Sequence, residues 1–204
     1  MKANIYVDGF NLYYGAVKGT PYRWLNIAAM CQLLLPNDQI DQIKYFTALV
    51  KPRPNDLDQL LRQRIYLRAL LTIPNLTIIL GSFLEHEVMM PHAPPLSGYV
   101  KVIKTEEKGS DVNIATHLIV DAYNDDYEIA IIISNYSDLL APIQFVTKQM
   151  GKPVGLLNPQ RNPSVALLPH VKFIKQIRAG VLAKSQFPAT LSDSHGSFSK
   201  PASW

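Results

Sequence analysis

Glu128-Ile129-Ala130-Ile131-Ile132-Ile133-Ser134-Asn135-Tyr136-Ser137-Asp138, residues 128–138, is the stretch that decides the fold. Its unbroken apolar run reads as a strand buried on both faces, because a strand with one wet face would alternate apolar and polar residues. The Ser/Asn/Asp turn that follows stops the strand, and Ser137 can cap a helix whose inner face is Leu139, Ile143, Val146 and Met150. Gly151-Lys152-Pro153 ends that helix before another apolar strand at 154–157. Strand, polar turn, helix and strand make the repeating unit of a parallel sheet.

The same alternation extends towards the N-terminus. Residues 4–7 form a short apolar strand, and 24–35 a helix with Leu25, Ala28, Ala29 and Leu33 on one face. A second strand at 43–50 ends in Lys51-Pro52-Arg53-Pro54, where two prolines forbid regular continuation. Asn55 then reads as the cap of a helix, with Leu57, Leu60, Leu61, Arg64, Ile65 and Arg68 at helical spacing. Pro74-Asn75 breaks it before a strand at 76–80. In 110–123, Val112, Ala115, Ile119 and Ala122 predict the buried stripe of a helix capped by Ser110. The class is α/β, a three-layer Rossmann-like fold with a central parallel sheet flanked by helices.

Two stretches leave this pattern. Residues 82–104, with Pro91, Pro94 and Pro95, read as an insertion loop plus an edge strand. The chain from about 184 is rich in Ser, Pro and Gly and reads as a flexible tail. The expected organisation is a main domain over 1–175 and a C-terminal extension over 176–204.

With 204 residues, 48% of them hydrophobic, the chain can bury one substantial core. A formal charge of +4 favours an anionic partner. Cys31 sits in an apolar run and, having no second cysteine to pair with, reads as a core residue in a reducing compartment. No stretch has the features of a signal peptide or approaches the roughly 18 apolar residues of a membrane span, so a cytoplasmic protein with no membrane partner is expected.

Ligands of open parallel sheets bind beyond the carboxyl ends of the strands. Three polar stretches collect there: Asp8-Gly9-Phe10-Asn11, Lys108-Gly109-Ser110-Asp111 and Ser134-Asn135-Tyr136-Ser137-Asp138. Carboxylates brought together repel one another unless protons or a cation intervene, and a hard divalent ion such as Mg²⁺ meets that need. Taken singly, Asp8 reads equally well as a turn residue, and Asp111 or Asp138 as a complement to a helix dipole.

Val7-Asp8-Gly9-Phe10-Asn11-Leu12, the run from Glu106-Glu107-Lys108 through Asp111 to Ala115, and Ser134-Asn135-Tyr136-Ser137-Asp138-Leu139 resemble the three signature stretches of the NYN domain family, LabA-like branch, in the same order. The resemblance spans residues 1 to about 175. It implies a PIN-like fold with sheet order 3-2-1-4-5 and RNA cleavage dependent on Mg²⁺ or Mn²⁺. Carried over by motif, Asp8, Asp111 and Asp138 are catalytic metal ligands and Asn11 is the polar companion of Asp8. Ser134 is expected to orient the acids.

Lys108 is placed to meet substrate phosphate, and Arg64 and Arg68, with Lys51, Arg53, Arg62, Lys101 and Lys104, to steer RNA. Tyr13, Tyr14, Tyr22 and Trp24 are available for base stacking or for packing. His86 and His92 lack the spacing of a zinc site, and His117 reads as helix packing. The family's third motif has an acid where this chain has Tyr136, and a neutral phenol lowers metal affinity. The expected function is therefore an Mg²⁺- or Mn²⁺-dependent ribonuclease of reduced activity, with a homodimer as a further possibility. The alternative is a catalytically weak or inactive NYN-fold module that binds RNA or protein and regulates. A nucleotide-binding protein is disfavoured because no Gly-rich loop follows the first strand.

Overall fold

In the computed structural model, which describes residues 1–52 and 54–204, the fully buried run Ile129–Ile133 lies at the centre of a parallel sheet. The strands are β1 (Lys2–Asp8), β2 (Gln39–Thr47), β3 (Leu76–Leu80), then β4 (Ser82–Pro91) and β5 (Tyr99–Lys108) in a separate arm, and β6 (Ile129–Ile133), β7 (Val154–Asn158) and β8 (Phe173–Gln176). Six of them form the main sheet in the order β3-β2-β1-β6-β7-β8, every neighbouring pair parallel. This is the 3-2-1-4-5 order with a sixth strand added beyond the fifth. Ile5 pairs with Ile43 on one side and Ile131 on the other, so β1 and β6 are the neighbours at which the connections change direction.

The period-2 alternation of each strand divides the core in two. Ile5, Val7, Ile43, Ile131 and Ile133 face the helices α2 (Ile27–Leu34), α3 (Gln59–Leu70) and α6 (Ala179–Lys184) through Met30, Cys31, Leu70 and Leu182. Tyr6, Phe46, Ala130 and Ile132 face α4 (Ser110–Tyr123) and α5 (Leu140–Lys148) through Ile114, Leu118, Ile143 and Val146. Cys31 is a buried core residue, and burial pushes its thiol up to about 12.

The inner face of α4 differs from the expected stripe. Ile114, Leu118, Asp121 and Ala122 are buried, whereas Val112 is 69% exposed. A charged residue on the inner face hid the pattern. Asp121 is held there by the Tyr6 hydroxyl at 2.6 Å and Lys44 Nζ at 2.5 Å, so its burial is compensated. α3 begins two residues later than Leu57, which is exposed, and the Asp58 side chain that precedes it makes no capping bond.

The stretch expected as a loop with an edge strand is a long antiparallel ribbon. β4 and β5 pair from Ser82–Lys108 to Pro91–Tyr99, and neither joins the main sheet. The expected flexible tail is likewise ordered. After α6 come the paired strands β9 (Thr190–Asp193) and β10 (Gly196–Ser199). Arg68 donates to both carboxylate oxygens of Asp193 at 2.7 Å and lies over the Phe198 ring, fixing this hairpin to α3. Trp204 packs against Trp24 and Tyr66. Among the described residues no helix is long and apolar enough to cross a membrane.

Candidate functional site

β1 runs directly into α1 (Gly9–Leu12), which widens into a π-helical turn at Tyr13–Val17. Gly9 makes this junction possible. A Cβ there would lie 2.7 Å from the Tyr45 ring and 2.8 Å from the Phe46 carbonyl oxygen, so only glycine lets the helix start so close to β2.

Asp8 is the N-cap of α1, its Oδ1 accepting from the Asn11 N–H at 2.9 Å. Its Oδ2 accepts from Ser134 Oγ at 3.0 Å, and Ser134 Oγ in turn accepts from the Tyr136 N–H at 3.2 Å. Asn11 Oδ1 accepts from the Asn135 N–H at 3.1 Å, tying the two strand ends together. Asn11 and Ser134 thus orient the acid. Among the described residues Asn11 Nδ2 is buried without a hydrogen-bond partner.

Asp8 is 2% exposed. Burial pushes its carboxyl up to about 6, against the stabilising bonds from Asn11 and Ser134, and the charges of Asp111 and Glu107 add to the rise. Asp111 is also raised, by burial first and then by Glu107 and Asp138. Tyr136 is 49% exposed, and its hydroxyl is raised by burial and by Asp8 and Asp111. The uncharged phenol stands where a further acid would add to that repulsion.

Glu107, whose sequence position alone suggests no role, is part of this acidic group. It sits on the last rungs of β5, where its Oε1 accepts from the Ser110 N–H at 3.2 Å and Ser110 Oγ at 2.8 Å. Glu107 therefore satisfies the start of α4, and Ser110, expected as the cap, is the helix's first residue after Gly109 at φ 101°. The acids influence one another without forming a cage. Among the described residues no three His, Cys, Asp or Glu side chains are grouped to hold a metal ion. The expected centre for Mg²⁺ or Mn²⁺ on Asp8, Asp111 and Asp138 is not among such groups.

Two spaces flank the β1–α1 junction. One is an open depression lined by Asn11, Asn135, Tyr136 and Arg161. The other is a cavity of about 390 Å³ between the π-turn and α3, reached by Gly9 and Phe10 but not by Asp8. Tyr13, Tyr45, Tyr66 and Trp204 give it aromatic walls, and among the described residues Arg23 and Arg62 bring guanidinium groups to it.

The residues expected to contact RNA are mostly engaged with carboxylates. Lys108 pairs with Glu106 at 2.9 Å, Lys104 with Glu106 at 2.5 Å and Lys51 with Glu85 at 2.7 Å. Lys101 pairs with Glu87, Arg62 with Asp56, and Arg68 with Asp193. Arg64 is exposed, and Arg53 lies outside the described residues. Of the aromatic residues, Trp24 is buried with its Nε1–H on the Pro188 carbonyl at 2.7 Å, Tyr22 packs on the core, and Tyr13 and Tyr14 line the cavity. His117 stacks on Phe46 and approaches Lys44 Nζ, a packing position as expected.

The class these elements define is a three-layer α/β protein with a ligand-sized cavity at the carboxyl edge of its sheet. No protein-family model matches the chain. Over 236 aligned residues the chain is 26% identical to 6-hydroxy-3-succinoylpyridine 3-monooxygenase HspA of Pseudomonas putida, covering 100% of this chain and 75% of that protein. A crystal structure of a protein of unknown function from Vibrio parahaemolyticus superposes with a TM-score of 0.59 at 19% identity, over 91% of this chain and 96% of that one. The latter likeness shows the fold. The former overturns the functional expectation: the named relative is a monooxygenase, an oxidoreductase rather than an RNA-cleaving hydrolase.

Proposed function

We propose that this chain is an oxidoreductase of the monooxygenase kind, built on an NYN-like scaffold and acting on a small ring-bearing molecule held in the cavity between the π-turn and α3. The observation that carries this reading is the likeness to HspA along the whole of the chain. The cavity supports it. At about 390 Å³ it falls within the range of small-ligand sites and is too small for a polynucleotide, and its aromatic walls suit a planar ring.

Asp8 does not line the cavity, and in this reading it acts on it as a positioning group through Tyr45. A carboxyl raised to about 6 exchanges protons near neutral pH, and Asn11 and Ser134 hold it in one orientation. Tyr45 packs on Gly9, lines the cavity and feels the charge of Asp8, so it is the side chain common to the acid and the cavity. Monooxygenation places one atom of O₂ in the substrate and reduces the other to water with two electrons from a donor.

The test uses the purified chain with 6-hydroxy-3-succinoylpyridine, NADH or NADPH and ¹⁸O₂, with a flavin nucleotide or ferrous iron added in separate arms. The expected result is substrate-dependent O₂ uptake and a product carrying one ¹⁸O atom. Absence of label in every arm, for this substrate and for related hydroxylated aromatic acids, overturns the proposal.

A further inference from the structure

Arg23 stands apart from the other cations of the cavity wall. Arg62 is neutralised by Asp56, and Lys18 lies over the Tyr14 ring at 4.7 Å from its centroid. Among the described residues half-buried Arg23 makes no ion pair, and its Nε has no hydrogen-bond partner. A permanently charged guanidinium with no carboxylate beside it, on the wall of a space of ligand size, suits an anionic acceptor at its terminal nitrogens.

From this, and resting on the monooxygenase reading, we infer that the substrate class is an aromatic acid, a planar ring bearing a carboxylate on a short side chain, with the carboxylate taken by Arg23. The guanidinium offers a planar fork of N–H groups that matches two carboxylate oxygens. Tyr13, Tyr66 and Trp204 supply the surfaces against which a ring packs. Gln63 does not compete for polar atoms of the ligand, because its Oε1 accepts from the Val50 N–H at 2.8 Å and its Nε2 donates to the Ala48 carbonyl at 2.9 Å. Both ends of its amide are engaged. A phosphate dianion fits less well, since among the described residues one guanidinium is open to it and the carboxylate of Asp56 lies on the same wall.

The experiment measures binding without turnover. Isothermal titration of the purified chain with 3-succinoylpyridine, its methyl ester and inorganic phosphate is run on the parent, Arg23→Gln, Arg23→Lys and the exposed-site control Arg64→Gln. The acid is expected to bind the parent and Arg64→Gln alike, at least tenfold tighter than the ester. Arg23→Gln is expected to lose that preference and Arg23→Lys to recover part of it. Equal binding of acid and ester to the parent overturns the inference, as does an Arg23→Gln variant that binds the acid like the parent. Tighter binding of phosphate than of the acid overturns the carboxylate assignment. If Arg23→Gln does not fold, the acid-to-ester ratio on the parent and on Arg23→Lys decides. A charge preference set by Arg23 without any ¹⁸O incorporation separates a failure of the monooxygenase reading from a failure of this one.

Discussion

The Ser134 hydroxyl donates to Asp8 Oδ2 at 3.0 Å, joining the ends of two adjacent parallel strands that lie 126 residues apart in sequence. The contact holds a buried carboxyl whose charge is opposed by burial and by two neighbouring acids, so the junction is sensitive to pH.

The Asp8 carboxyl rises from an ordinary 3.8 to about 6 in the folded chain. A raised carboxyl favours the protonated form in the fold. Its contribution to stability is fully present below pH 3.8 and is lost as pH rises through about 6. The difference corresponds to about 3 kcal/mol across that window. Asp8→Asn is therefore expected to gain stability relative to the parent between pH 4 and pH 7. Thermal unfolding of both proteins across that range checks this, and a constant gap between them would refute it.

Gly9→Ala places a methyl group into the Tyr45 ring and the Phe46 carbonyl. Overpacking of this kind costs about 1–3 kcal/mol. Because Tyr45 also lines the cavity, the displaced ring is expected to weaken ligand binding as well. Chemical unfolding and titration with 3-succinoylpyridine measure the two effects, and a variant with parental values of both would show that the junction has room to spare.

Arg68→Ala removes the fork that holds Asp193 and the cation above Phe198. Faster amide exchange is expected across Thr190–Asp193 and Gly196–Ser199, with β1 and β6 unchanged. Hydrogen-exchange mass spectrometry reads both regions at once. Unaltered exchange in the hairpin would assign its order to Leu191 and Phe198 packing alone.

The parallel sheet was legible because Ile129–Ile133 and the residues around Ile5 have no polar face to confuse the period. The position of Asp8, Asn11 and Ser134 at or just beyond the ends of β1 and β6 was legible, because chain order places them there. α4 was misread where Asp121, made tolerable inside by Tyr6 and Lys44, interrupts the apolar stripe, since compensation from distant residues leaves no local mark. The tail was misread from its few aliphatic residues, although Phe187, Phe198 and Trp204 were the signal that it packs. Glu107 carried no signal of its own, because its place depends on how an antiparallel arm returns to the core. The chemistry was the least legible part. Acids at the edge of a parallel sheet look alike in sequence whether they converge on a cation or only shift one another's protons, and spacing does not distinguish the two.

The β4–β5 arm leaves the core at Ser82 and comes back at Lys108, the residue with which Ser82 pairs. Seen from the main sheet, departure and return are one point, so the span between them is a graft of arbitrary length. Rungs can be added to or removed from its tip, one residue per strand at a time, without moving the register of any parallel strand. Its lowest rungs have no such freedom, because Glu107 pairs with Phe83 there and anchors the start of α4. The arm thus combines a tip open to evolutionary drift with a root bound to the acids of the sheet edge.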